Sequence, residues 1–191
     1  MVRRRSYADQ LEKAVVVALD PGGTTGWSVM VVEPDCLSED EVSVLASITH
    51  HAHGEVGGDE NEQAVALGEL VAAWPGCTLV IEKFTLRTFK RSAELLSPVR
   101  ITAKVDLIVA QQLYGVEAGV KVWYQEPSLA KNTATDQRLR DWGLYQREGG
   151  LEHARDADRH AITFLRRAST SKQLRHQSWP GLYDKNGLLL K

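Results

Sequence analysis

The sequence predicts an α/β chain built on a mixed five-stranded sheet flanked by helices. Three observations carry that expectation. In VVVALDPGGTTGWSVMVV, Val15 to Val32, two Val-rich runs flank a Gly- and Thr-rich turn, the pattern of a β-hairpin. Two further short apolar runs, CTLVIEKF and VKVWYQ, have the length and character of buried strands. Helical periodicity lies between and after them, so three opening strands are followed by helix, strand, helix, strand and helix.

Taken in order, Val15–Asp20 and Gly26–Val32 are the first two strands, and Asp20 sits at the mouth of their turn. SVLASITHHA reads as the third strand because apolar residues partly alternate from Val42 to Ile48, and HGEVGGDE reads as a loop. A helix is expected over about Glu60–Trp74. Asp59 and Glu62 form a capping-box pattern, and Leu67, Leu70, Val71 and Trp74 make its apolar stripe. The fourth strand carries Glu82 at its C-terminal end, and a polar, basic loop follows to about Ser97. Pro98 suits the first turn of a helix reaching about Tyr114, with Ile101, Val105, Ile108 and Val109 inward. After the fifth strand, PSLAKNTATDQRLRDWGL reads as a loop and short helix capped by Thr135 or Asp136. The last long helix spans about Leu151–Ala168. One domain is therefore expected over residues 1–169, and residues 170–191 form a basic tail that is mobile or docks elsewhere.

With 191 residues, 43% hydrophobic and 25% charged, the chain suits one domain with a real core. Cys36 and Cys77 follow no metal-ligand spacing; counting alone allows a disulfide, but a reduced intracellular protein, cytoplasmic, is the better expectation. The start, MVRRRSYADQLEKA, lacks the apolar centre of a signal peptide, and no apolar run approaches the ~18 residues of a membrane span. Net charge is only −2 but is polarised. Residues 33–70 hold ten acids and no Lys or Arg, whereas Lys83, Arg87, Lys90, Arg91, Arg100 and Lys104 face Glu94 alone over residues 83–104. Such polarity fits either solvated surface or one face that meets a polyanion.

Asp20 and Glu82 both end strands, where α/β sheets commonly place their chemistry. Two carboxylates meeting at one edge repel unless protonated or bridged by cations, and hard oxygen ligands favour Mg²⁺ or Mn²⁺. A pair of such ions about 4 Å apart can activate water and stabilise the leaving oxygen of a phosphodiester. The last helix can supply a third ligand. In LEHARDADRHAITFLRR, Ala154, Ala161, Leu165 and Ala168 share one face, with His153, Asp156 and His160 along its border. Asp158 points near the apolar centre and needs a partner, a metal among the options. Each residue alone also has a plain reading: Asp20 as a turn cap, Glu82 as solvated, the histidines as helix surface.

In order and spacing, LDPGGTTGW, VIEKF and HARDADRHA resemble the active-site segments of RuvC-type Holliday-junction resolvases, closest to the shorter phage-encoded branch, whose place would be the host cytoplasm. SPVRITAKVDLIV and QEPSLAK extend the likeness over about Val15 to Arg167. The resemblance implies a ribonuclease-H-like fold, a homodimer, and Mg²⁺- or Mn²⁺-dependent nicking of branched DNA, with two ions per active site. It assigns Asp20, Glu82 and Asp156 as metal-binding acids and places His153 where the family has Asp or His. It also implies that Lys131 lies near the scissile phosphate. Two departures stand out. The first turn is one residue shorter than in cellular resolvases, and Glu152 and Asp158 rival His153 for the fourth ligand position.

Charge supplies the DNA expectation. Lys83, Arg87, Lys90 and Arg91 leave the strand that bears Glu82, and Arg100 and Lys104 continue the track. Phe84 and Phe89 interleave with these bases and offer stacking surfaces, or ordinary packing. Three rivals remain at this stage. LDPGGTTGW also looks like the phosphate turn of actin-like and sugar-kinase ATPases, although 191 residues leave no room for their second domain. A non-catalytic DNA-binding module of the same fold would not need three acids at one edge. A nuclease preferring flaps, forks or packaging intermediates would share the same active site.

Overall fold

The computed structural model describes residues 12–38, 41–85, 96–112, 119–145 and 151–190. Strands β1 (Ala14–Asp20) and β2 (Thr25–Val32) form the hairpin, paired antiparallel from Ala14 opposite Val32 to Asp20 opposite Gly26. Strand β3 (Ile48–Val56) adds antiparallel to β2, while β4 (Thr78–Glu82) and β5 (Lys121–Gln125) add parallel on the other side. The sheet order is β3-β2-β1-β4-β5. After a 3-10 turn (Pro34–Ser38), the helices are α1 (Glu41–Ala46), α2 (Glu60–Ala72), α3 (Ser97–Gln112), α4 (Pro127–Thr133), α5 (Asp136–Asp141), α6 (Glu152–Thr170) and α7 (Lys172–Ser178).

All of β1 is buried, because successive side chains alternate between two covered faces. Val15, Val17 and Leu19 pack against Ala64, Leu67 and Val71 of α2 and Ile101, Val105 and Val109 of α3. Ala14, Val16 and Ala18 meet Ala161, Ile162, Phe164, Leu165 and Ala168 of α6 on the opposite face. The same period of two carries Asp20 and Glu82, two residues beyond Ala18 and Val80, onto the α6 face. The capping box of α2 is present, with Asp59 accepting from the Glu62 amide and Glu62 from the Asp59 amide.

The third strand lies further along the chain than the alternation of Val42 to Ile48 predicts. Glu41–Ala46 is a short helix with Val44 in the core, and the strand begins at Ile48 and takes in HGEV, read above as loop. Its inward positions hold His51 and His53, whose partner, Asp158, lies 107 and 105 residues away on α6. Polar residues facing a distant polar partner carry no hydrophobic period. PSLAKNTATDQRLRDWGL forms two helices instead of one, and Thr135 caps the second by accepting from the Arg138 amide at 3.3 Å.

Residues beyond 170 dock on the chain's own core. Trp179 and Tyr183 are 3% and 1% exposed, and the Trp179 indole donates to Val15 O at 3.2 Å. The buried Arg175 guanidinium donates to Ala168 O and Ser169 O, both at 2.7 Å, and so satisfies carbonyls at the end of α6. Cys36 and Cys77 are free thiols. Among the described residues, no helix is long and apolar enough to cross a membrane.

One contact positions α6. A Cβ built on Gly26 would lie 2.0 Å from His153 O and 2.6 Å from Ala154 N. None of Gly22, Gly23 and Gly26 has a positive φ, so at position 26 the requirement is for close approach, not for a left-handed backbone. Gly26→Ala is expected to cost about 1–3 kcal/mol or more through backbone displacement, read as a lowered denaturant midpoint.

Candidate active site

Leu19 and Ile81 are partners in the parallel β1–β4 ladder, so Asp20 and Glu82 stand side by side one residue further on. The N-terminus of α6 comes down over this edge. Its N-cap residue, Leu151, makes no side-chain capping bond. Glu55 Oε1, from β3, instead accepts from the amides of His153 at 2.9 Å and Ala154 at 3.4 Å. A carboxylate there satisfies orphan donors and meets the positive end of the helix dipole.

Seated in this way, His153 places Nδ1 3.1 Å from Asp20 Oδ2. One turn on, Asp156 Oδ2 lies 3.2 Å from Lys131 Nζ of α4, and its other oxygen accepts from Arg159. Asp20 is 8% exposed, and its carboxyl is pushed up from 3.8 to about 6. Burial is the largest cause, followed by the charge of Glu82; the His153 hydrogen bond opposes them, and Asp156 raises the value further.

Glu82 is held from behind. His160, 1% exposed, brings Nε2 to 2.7 Å from Glu82 Oε2, and its Nδ1 lies 3.0 Å from the Gln125 amide nitrogen. Gln125 is the β5 partner of Glu82 in the ladder. Its amide donates to Nδ1, so the imidazole proton sits on Nε2 and is donated to Glu82.

The hairpin turn is tied inward. Thr25 Oγ1 donates to Gln63 Oε1 at 2.6 Å, and the Gln63 amide donates to Gly23 O at 2.9 Å and Gly58 O at 3.0 Å. The Gly22 amide points to Thr25 Oγ1 at 3.4 Å. The Thr25 hydroxyl and the Gly22 amide are thereby engaged inside the protein and not presented to a nucleotide phosphate.

Asp20, Glu82, Asp156, His153 and Lys131, the residues expected from the sequence, thus fall at one end of the sheet. Of the rivals for a fourth position, Glu152 is exposed at the start of α6. Asp158 turns away to His51 Nε2 at 2.8 Å and His53 Nδ1 at 2.6 Å. Lys83 is exposed and pairs with Glu126 at 2.7 Å. Arg100 and Lys104 both bind Glu60, whose carboxyl is drawn down to about 2, chiefly by the Arg100 hydrogen bond. Part of the expected basic track is therefore neutralised within the fold. Arg87, Phe89, Lys90 and Arg91 lie outside the described residues.

In the sequence alone Glu55 and Gln125 carry no assigned role, and His160 stands on the helix border with His153 and Asp156, with helix surface as its plain reading. His160 had one usable signal, its place four residues after Asp156 on the same helix border. Glu55 and Gln125 had none, because their partners come from other elements.

No protein-family model and no curated protein matches the sequence. Solved structures do match. Thermus thermophilus RuvC in complex with Holliday junction substrate aligns at a TM-score of 0.57 with 17% identity, over 83% of this chain and 96% of that one. T. thermophilus RuvC in a second structure aligns at 0.55, also with 17% identity, over 82% and 96%. The yeast mitochondrial Holliday junction resolvase Ydc2 aligns at 0.50 with 15% identity, over 88% and 85%. This chain has the ribonuclease-H-like fold of the RuvC-type resolvases. Within that RuvC-type fold, the acids occupy the end of the sheet where β1 and β4 run parallel and the first turn of α6 arrives.

The raised Asp20 value has a consequence for stability. Folding lifts this carboxyl from 3.8 to about 6. Its contribution is therefore most favourable below pH 4 and is lost as pH rises through about 6, on the order of 3 kcal/mol by neutral pH. Asp20→Asn is expected to raise the thermal midpoint of cation-free protein at pH 7.5 and to leave it unchanged near pH 4. Equal midpoints at pH 7.5 would contradict a buried, repelled carboxylate.

Proposed function

We propose that the chain is a metal-dependent, structure-selective endodeoxyribonuclease that nicks four-way junctions and related branched DNA by phosphodiester hydrolysis. The observation that carries this reading is the meeting of Asp20, Glu82 and Asp156, in which burial and the other two charges push Asp20 to about 6. A set of three carboxylates drawn from three elements, one of them strongly repelled, suits a hard divalent cation that would relieve the repulsion. Asp20, Glu82 and Asp156, with His153, would hold Mg²⁺ or Mn²⁺, which when bound activates water and neutralises charge on the phosphodiester.

The chain's own groups do the arranging. His153 steadies Asp20, His160 aims Glu82 through a tautomer set by Gln125, and Lys131 and Arg159 hold Asp156. Lys131, 58% exposed at its side chain, is free to turn toward a bound phosphate. Lys83 and the basic residues that follow it would carry the DNA backbone past the acids. A homodimer would present two such sites to a junction. Val99 and Leu107 of α3 are exposed large apolar side chains, unlike the buried Ile101, Val105 and Val109, and are available for such an interface.

The decisive experiment compares cleavage of four-way, flap, fork and linear duplex DNA in Mg²⁺ and Mn²⁺. Branched substrates should be cut and linear duplex spared; equal cutting of linear duplex sinks the structure-selective reading. Asp20→Asn, Glu82→Gln and Asp156→Asn should each lower cleavage more than about 1,000-fold while junction binding persists. Lys90→Ala with Arg91→Ala should instead weaken binding and flatten its salt dependence. His160→Ala should cost about 10–100-fold in activity, and His160→Gln, which can still donate to Glu82, should cost less.

A further inference from the structure

The most closely gathered set of metal-ligating atoms among the described residues is not the three catalytic acids. It is His51, His53 and Asp158, whose ligand atoms all lie within 4.8 Å of one another. His51 and His53 alternate along β3 and so project from the same face, toward α6. Each contacts a different oxygen of the fully buried Asp158, His51 through Nε2 at 2.8 Å and His53 through Nδ1 at 2.6 Å. Zinc ligands sit about 2.0–2.2 Å from the metal, so neighbouring donors in a tetrahedral shell stand a little over 3 Å apart. The two imidazole–carboxylate contacts, at 2.8 and 2.6 Å, are hydrogen bonds shorter than that spacing, so an ion would replace them with only a small outward shift of donors that already lie within 4.8 Å of one another.

A second observation comes from the neighbouring strand. Ser28 lies directly opposite His53 in the β2–β3 ladder and therefore shares its face. Its hydroxyl is buried and, among the described residues, has no hydrogen-bond partner. An orphan hydroxyl opposite His53, on the face that carries the cluster, is well placed to support a metal-bound water. The His51 side chain is 18% exposed, which leaves a route for an ion to enter.

We propose that His51, His53 and Asp158 form a second metal site, which takes a borderline divalent ion of the zinc class between β3 and α6. Two imidazoles and one carboxylate favour Zn²⁺, Co²⁺ or Ni²⁺ over the hard cations suited to the carboxylate site. The role is structural. The ion would join the same two elements that Glu55 joins at the His153 amide, and it would stiffen the seat of α6. The proposal does not depend on the nuclease reading.

The test uses full-length protein carrying Asp20→Asn and Glu82→Gln, stripped with chelator and then titrated with Zn²⁺ and Co²⁺. One equivalent should bind, with visible Co²⁺ absorption and a rise of several degrees in the thermal midpoint at saturating Zn²⁺. Excess Mg²⁺ should not displace it. Adding His53→Gln, or Asp158→Asn in a separate protein, should weaken binding by at least about 100-fold. Folding of each variant is checked by circular dichroism. No binding by the stripped protein overturns the site without recourse to any variant in the cluster. So does binding that survives both cluster substitutions, or binding that wild-type protein shows and the Asp20→Asn, Glu82→Gln protein lacks.

Discussion

Helix α6 runs so close to β2 that position 26 has no room for a side chain: a Cβ there would sit 2.0 Å from the His153 carbonyl oxygen. Most of the candidate site depends on this approach. It brings the first turn of α6 over the ends of β1 and β4, where the strand period has already turned Asp20 and Glu82 toward it. It also exposes the helix's amides to Glu55, which caps them from β3 in place of a local cap. The glycine of the opening hairpin thus acts through what it permits the helix to do.

A site that gathers three carboxylates works against its own folding, and the surroundings show how the repulsion is met. Asp156 has Lys131 and Arg159, and Glu82 has a buried imidazole. Asp20, the most buried of the three acids, has among the described residues only the His153 ring, which is partly exposed. Burial above all, and then the charge of Glu82, give it the largest raised value of any aspartate or glutamate described. The imbalance concentrates the unrelieved charge at one acid, where a cation gains most by binding.

Much of the fold was legible in the sequence because its central strands are buried on both faces and read as continuous apolar runs. Asp20 and Glu82 were legible as strand-end acids because each closes an apolar run, whereas the sequence placed Asp156 only among several polar residues bordering an apolar helical face and the family resemblance singled it out. Strand β3 was misplaced because its inward positions, His51, His53 and Glu55, answer to α6 and carry no apolar period. The segment after Thr170 looked peripheral because Trp179 and Tyr183 are isolated among polar residues, yet both rings enter the core, Trp179 against Phe164 and Tyr183 against Trp179. Pairings between distant elements, such as Gln125 with His160 or Glu55 with the first amides of α6, leave no local pattern to read.

The polarity that hid β3 also gives it a purpose. An edge strand needs only one covered face, and that face carries His51, His53 and Glu55 at successive inward positions, opposite Met30, Ser28 and Gly26 of β2. The first two grip Asp158 in the body of α6, and the third caps the helix start. Asp156 and Asp158 are two residues apart, so a helix turns them about 200° from each other. One acid then faces the sheet edge, while the other is clamped by the strand. A helix that must hold Asp156 and His153 against repelling carboxylates gains from a grip this close to them. Apolar side chains at the same positions of β3 would bury area, but they lack the directionality with which two hydrogen bonds to Asp158 set the rotation of α6 about its axis, and so where Asp156 points.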